Sequence, residues 1–141
     1  MLFLRFSLPQ SDGSMSGNAR ILVPIGALAL FVATVLGAYG THGVQGTVDA
    51  RSWSAYQVAV QYQFFHGLGI IAAAIVADRF PRSRWIALSG WILLFGVVAF
   101  CGSIYATTLG APQRIGVLAP VGGVGLMAGW LSLAIGVMRA G

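Results

Sequence analysis

The sequence contains no lysine and no glutamate, and its 141 residues include only three acidic side chains and one cysteine. Charged residues make up 8% of the chain, whereas a soluble domain carries about 25%. These absences exclude an ordinary soluble enzyme, a disordered charged tail and a coiled coil. With a single cysteine, Cys101, no intrachain disulfide can form.

Hydrophobic residues are abundant instead, at 57% of the chain. A helix needs about 20 mostly apolar residues to cross a hydrocarbon core of roughly 30 Å. Four segments meet this requirement without any charged residue, namely 21–39, 56–77, 85–107 and 120–138. Short second and third connections favour antiparallel neighbours. The sequence therefore predicts an all-α integral membrane protein, folded as a four-helix up-down bundle.

Every basic residue is an arginine, and the arginines divide unequally between the two predicted sides of the membrane. One side carries Arg5, Arg20, Arg79, Arg82, Arg84 and Arg139, and the other carries Arg51 and Arg114. The positive-inside rule then predicts that both termini are cytoplasmic. These arginines are scattered over loops without interleaved aromatics, which favours membrane topology over nucleic-acid binding. The arginines at 79, 82 and 84 also suit contact with anionic lipid headgroups, so membrane lipid is an expected partner.

Residues 1–20 differ from the rest and are predicted to form a poorly ordered extension before a transmembrane domain over 21–139. Met15 is an alternative start of translation, because it leads directly into the first apolar segment. A second alternative makes 21–39 a cleaved signal with a cleavage-like site at 38–40. A retained helix is favoured, since these 19 residues exceed the usual signal core of about 7–15.

Small residues repeat at helical spacing along the fourth segment. The stripe consists of Gly122, Gly125, Gly129, Ser132 and Gly136. Small residues on one face let membrane helices approach closely, so this stripe is predicted to pack against another helix. Packing within the chain is favoured over a seam between identical subunits.

The second segment is unusually polar, with Gln57, Gln61, Tyr62, Gln63 and His66 inside one predicted span. Helical geometry places Tyr62 and His66 on one face and Gln57 and Gln61 on another, with Gln63 pointing away from both. Placing a polar group in hydrocarbon without a hydrogen-bond partner costs on the order of several kcal/mol. Interhelical hydrogen bonding is therefore favoured over a ligand site.

Four ordered motifs resemble the YgdD-like family of small four-helix membrane proteins, whose function is unknown. They are GAYGTHG at 37–43, AVQYQFFH at 59–66, FCGSIY at 100–105, and PVGG at 120–123 with GW at 129–130. The resemblance covers about residues 21–138. It implies a multi-pass bacterial inner-membrane protein, with mitochondrial relatives in eukaryotes, and supplies no reaction, substrate or cofactor.

The polar members of these motifs form a candidate cluster, predicted to hold the first three helices together by hydrogen bonds. Its members are Tyr39, His42, Gln61, Tyr62, His66, Ser103 and Tyr105. No metal or other cofactor is predicted, because two histidines without a third ligand make a poor metal site. Cys101 lies in an apolar segment, where thiols are usually inert.

Three functions remain open at this point. The preferred interpretation is a non-enzymatic structural or accessory protein, either a partner of a larger membrane complex or assembled with itself. The first alternative is a small homo-oligomeric transporter or channel around the polar second helix. The second is a haem-binding or enzymatic membrane subunit that uses His42 and His66.

Overall fold

A computed structural model describes residues 15–140, and helices dominate that range. The four long helices are α1 (Gly17–Tyr39), α2 (Ala50–Arg79), α3 (Arg84–Thr108) and α4 (Leu118–Ala140). No strand occurs within 15–140. Each helix, with its short extensions, is long and apolar enough to span a membrane, which confirms the predicted all-α fold with four spans. The predicted extension lies largely outside the described residues.

α1 begins earlier than the apolar pattern predicts, because Ser16 caps it. The Ser16 hydroxyl accepts a hydrogen bond from Ala19 N at 3.3 Å, which satisfies one of the free amides at the helix start. A helix that began with the apolar segment at residue 21 would have Pro24 in its first turn, but with the start at Gly17 this proline lies inside the helix. At its other end α1 runs on into a π-helical turn, Gly40–Val44.

The remaining helix ends also have identifiable causes. Asp49 caps α2 by accepting hydrogen bonds from Arg51 N at 2.9 Å and Ser52 N at 3.0 Å. After α3 the chain reverses at Gly110, whose φ of 101° is the left-handed conformation that favours glycine. A 3-10 turn, Gln113–Val117, then leads directly into α4.

Each helix packs chiefly against its neighbour along the chain: α1 on α2, α2 on α3, and α3 on α4. α2 and α3 are the inner pair, and a larger share of their most apolar stretch is buried than in α1 or α4. α1 starts and α4 ends at the same end of the molecule as the α2–α3 turn, since Ser16 N donates to Asp78 at 2.7 Å and Arg139 lies over Trp85. We call this the basic end, after Arg20, Arg79, Arg82, Arg84 and Arg139; the opposite end carries Arg51 and Arg114.

Glycines set the distance between neighbouring helices. Between α1 and α2, a Cβ added at Gly26 would lie 2.9 Å from the backbone oxygen of Gly67. The stripe of α4 faces α3: a Cβ on Gly122 would collide with the backbone nitrogen of Phe100, and one on Gly129 would lie 2.7 Å from the side chain of Leu93. Gly136 meets Ile86 in the same way.

The other two members of the stripe complete the α3–α4 contact. A Cβ on Gly125 would lie 3.3 Å from the Gly96 Cα of α3. The Ser132 hydroxyl donates to the carbonyl oxygen of Trp85 at 2.8 Å. The structure thus places the whole stripe against α3 of the same chain.

Candidate functional site

The structure does not bring the seven residues of the candidate cluster together. Tyr39 and His42 are exposed at the opposite end, where the Tyr39 ring lies against Gly43. Ser103 is buried, but its hydroxyl donates to Phe100 O of its own helix at 2.9 Å. Tyr105 is buried beside Tyr56, with ring centroids 5.2 Å apart. The three members on α2, Gln61, Tyr62 and His66, divide between two faces of that helix.

Two residues outside the candidate cluster join α1 to α2. The Tyr56 hydroxyl donates to Leu36 O at 2.7 Å, and Gln63 Nε2 donates to Ala29 O at 2.9 Å. The sequence carried a signal for Gln63, because its position opposite Gln57 and Gln61 on the helix predicts a different environment. The interhelical bond of Tyr56 could not be predicted in this way, because Tyr56 lies near a helix end, where aromatic residues commonly serve as interfacial anchors.

Tyr62 and His66 face α3 and α4. The Tyr62 ring stacks on Phe100 with centroids 4.9 Å apart, and the His66 ring lies 6.2 Å from that of Trp130. His66 Nδ1 is 2.7 Å from Tyr62 O. Because a carbonyl oxygen only accepts, Nδ1 carries the proton of this bond. This face of α2 therefore makes aromatic contacts with α3 and α4, and its one histidine is hydrogen-bonded within its own helix.

The two histidines lie at different depths. Gly40, two residues before His42, lies against the Tyr56 and Trp53 rings at the start of α2. His66 lies ten residues after Tyr56, about 15 Å further along that helix at 1.5 Å per residue. That separation is too large for both imidazoles to ligate one metal or one haem iron. Within residues 15–140, no three His, Cys, Asp or Glu side chains are grouped to hold a metal.

The remaining face of α2 forms a polar cleft with α1. The cleft has a volume of about 170 Å³. Its walls are Gly37, Thr41, Trp53, Tyr56, Gln57, Val60 and Gln61. Gln57 and Gln61 are exposed there, and neither amide has a hydrogen bond to another residue of the described chain. The Thr41 hydroxyl, by contrast, is bonded to Gly37 O at 3.3 Å.

Gln61 lies at membrane depth rather than at the water interface. α2 has 30 residues and is about 45 Å long, so Gln61 is about 16 Å from its first residue and near its middle. Trp53 and Arg79 mark the two ends of the same helix. A polar group that faces hydrocarbon without a hydrogen-bond partner costs on the order of several kcal/mol, so an amide at this depth favours a polar neighbour.

Comparison with known proteins identifies the family of this chain. A family described as "Protein of unknown function (DUF423)" matches residues 36–123. The chain belongs to this family. The chain is also similar to a UPF0382 membrane protein of Staphylococcus saprophyticus, 36% identical over 85% of this chain and 98% of its own length. The UPF0382 inner membrane protein YgdD of Escherichia coli is 33% identical over 86% of this chain and 92% of its own length.

The UPF0382 membrane protein YwdK of Bacillus subtilis is 28% identical over 85% of this chain and 98% of its own length. No solved structure matches the chain. These likenesses confirm the resemblance to the YgdD-like family and a multi-pass location in the bacterial inner membrane. The family is of unknown function, and none of these three relatives is named as an enzyme.

Proposed function

We propose that this protein is a non-catalytic accessory protein, which binds another membrane protein through the cleft between α1 and α2. The observation that carries the proposal is the pair Gln57 and Gln61, whose amides are exposed toward the bilayer and unbonded within the described chain. Amides at membrane depth are stabilised by polar side chains or carbonyls of a neighbouring helix. A partner helix would supply those groups.

The shape of the cleft favours a different protein over a second copy of this chain. A volume of about 170 Å³ accommodates one or two side chains, not a whole helix. A dimer with two-fold symmetry places the same surface on both subunits. Two concave clefts facing each other would leave both unfilled, so the complementary protruding side chain belongs to another surface.

The distribution of polar groups also disfavours the transport alternative. Gln61 lines the α1–α2 cleft, whereas Tyr62 and His66 face α3 and α4. Polar side chains that form a solute pathway must line one continuous passage. Here they occupy separate faces of α2, which supports an assembly role.

The test separates assembly from folding with two matched substitutions in the same helix. Gln61→Leu removes an amide that has no bond within the described chain, so the stability of the isolated protein should stay equal or rise by about 1 kcal/mol. Gln63→Leu removes the bond to Ala29 O and should cost about 1 kcal/mol. Native electrophoresis of mildly solubilised membranes should show that Gln61→Leu abolishes the larger complex.

In the same gel, Gln63→Leu should retain the complex at temperatures where the protein remains folded. Loss of the complex in Gln63→Leu but not in Gln61→Leu would contradict the assignment of the cleft. A complex whose mass equals that of two identical chains would replace the accessory role with self-association.

A further inference from the structure

An open pocket of about 600 Å³ lies at the basic end of the molecule, separate from the α1–α2 cleft. It is formed by the α2–α3 turn and the last residues of α4. Its lining includes Arg79, Arg82, Arg84 and Arg139, together with Phe80 and Trp85. Four arginines from two separate parts of the fold therefore line one cavity.

Two of these arginines are held in place by aromatic rings. The guanidinium carbon of Arg139 lies 5.4 Å from the Trp85 ring centroid, and that of Arg79 lies 5.8 Å from the Phe80 ring centroid. Stacking on a ring face leaves the N–H groups at the guanidinium edge free to donate. The Asp78 carboxylate, the acidic group at this end of the described chain, accepts a hydrogen bond from Ser16 N. The pocket thus combines positioned donors with an excess of positive charge.

Arg84 is placed where a cation is unfavourable for the helix. It is the first residue of α3, and the start of a helix carries the positive end of the dipole. The Ser83 cap compensates weakly, because its hydroxyl is 3.5 Å from Ile86 N. A bound anion would interact favourably with both Arg84 and the free amides of this first turn.

The depth of the pocket indicates the source of such an anion. Trp85 is exposed at the end of a membrane-spanning helix, the level that interfacial aromatic residues occupy. Leu88, one turn further into α3, is also exposed and extends an apolar surface toward the bilayer centre. A ligand with an anionic phosphate and an acyl chain fits this arrangement, because the phosphate suits the basic pocket and the chain suits the apolar face beside it.

We propose that the basic pocket binds the phosphate of an acidic phospholipid, whose acyl chain lies along α3 beside Leu88. Such a lipid would bridge Arg139 on α4 to Arg79, Arg82 and Arg84 around the α2–α3 turn. α4 packs chiefly on α3, so a bound headgroup adds a second attachment for its C-terminal end. Free inorganic phosphate presents the same anion without the acyl chain, and the two ligands can be compared directly.

Lipid binding is measured by native mass spectrometry and by thermal unfolding of the full chain in a non-ionic detergent. The buried single cysteine, Cys101, reports unfolding when a thiol-reactive dye is present. Phosphatidylglycerol should bind and raise the midpoint, whereas phosphatidylcholine and inorganic phosphate should not. Arg82→Gln and Arg139→Gln should each weaken phosphatidylglycerol binding about tenfold.

The matched controls are Arg51→Gln and Arg114→Gln, which remove the same charge at the opposite end. These variants should keep the affinity of the unsubstituted chain. Equal weakening by all four substitutions would overturn the pocket in favour of general electrostatic attraction. Equal stabilisation by phosphatidylcholine would overturn the role of the anion, and equal stabilisation by inorganic phosphate would overturn the assignment to a lipid.

Discussion

At the scale of single residues, three side chains bond one helix to the next by donating to a backbone carbonyl. Tyr56 and Gln63 join α2 to α1, and Ser132 joins α4 to α3. Each donor is buried or nearly so. In a membrane, an apolar helix face is as stable against lipid as against another helix. Close packing and such hydrogen bonds therefore determine which helices become neighbours.

The two buried tyrosines of α2 and α3 provide a matched test of these bonds. Tyr56→Phe loses the bond to Leu36 O but retains the ring contact with Tyr105, so it should destabilise the protein by about 1 kcal/mol. Tyr105→Phe removes a buried hydroxyl that has no partner in the described chain, so stability should stay equal or rise by about 1 kcal/mol. Thermal unfolding in detergent, monitored by Cys101 labelling, measures both.

A larger loss of stability for Tyr105→Phe than for Tyr56→Phe would contradict this assignment of the two hydroxyls. The pair differs only in hydrogen bonding, because both substitutions leave the aromatic ring in place.

Individual polar contacts were harder to predict than the polar residues themselves. The sequence correctly separates the faces of Tyr62 and Gln61, since 100° per residue follows from helix geometry alone. Which neighbour each face meets depends on the order and rotation of the packed helices. That is why Tyr39, His42 and Tyr105 share one end of the molecule without bonding to the α2 residues.

At the scale of helices, apolar length predicts the four spans, while caps and turns decide where they end. Ser16 and Asp49 start α1 and α2 several residues before their apolar segments begin. These first turns are too polar to carry a hydropathy signal. The small-residue stripe of α4 is visible in the sequence because its spacing is helical, but its partner helix is not.

Two adjacent glycines of α4 test whether helix separation limits stability. A Cβ at Gly122 would collide with the Phe100 backbone, which cannot move aside, whereas a Cβ at Gly123 would lie 3.8 Å from the Phe100 ring in ordinary contact. Gly122→Ala should therefore cost about 1–3 kcal/mol, and Gly123→Ala should cost nothing measurable. Equal midpoints for the two variants in detergent would show that α3 and α4 are not closely packed at Gly122.

The N-cap of α2 should make the start of this helix sensitive to acid. Hydrogen bonds from Ser52, first from its backbone and then from its hydroxyl, hold the pKa of Asp49 below its ordinary value. A carboxyl whose pKa is depressed on folding stabilises the fold above its unfolded pKa, and this contribution is lost as pH falls through the folded value. This carboxylate should therefore contribute constantly to stability between about pH 8 and about pH 5, because an aspartate in an unfolded chain titrates at about pH 4.

Below that range, the Arg51 and Ser52 amides of the unsubstituted chain should lose protection from hydrogen exchange, measured against the intrinsic exchange rate at each pH. In Asp49→Ala these amides should lack this protection at every pH. Undiminished protection of these amides in Asp49→Ala would show that the carboxylate does not cap the helix.

At the scale of the whole molecule, the four helices pack in chain order, each chiefly on the next, and the molecule has two distinct polar features. One is the α1–α2 cleft with its exposed amides, and the other is the basic end. The unequal division of arginines still predicts that the basic end is cytoplasmic. Composition indicates the membrane environment and the motifs indicate the family, but neither reveals the cleft, which depends on how α1 lies against α2.

Site-specific photo-crosslinking in living cells tests the accessory role most directly. A photoactivatable residue replaces Thr41, which is exposed and lines the cleft, so that both cleft amides remain in place. In a control variant it replaces Val98, which is 64% exposed near the middle of α3. We expect an adduct with a different protein from position 41, weakened by Gln61→Leu, and none from position 98. Uncrosslinked monomer alone at position 41, or the same adducts from both positions, would contradict the accessory role.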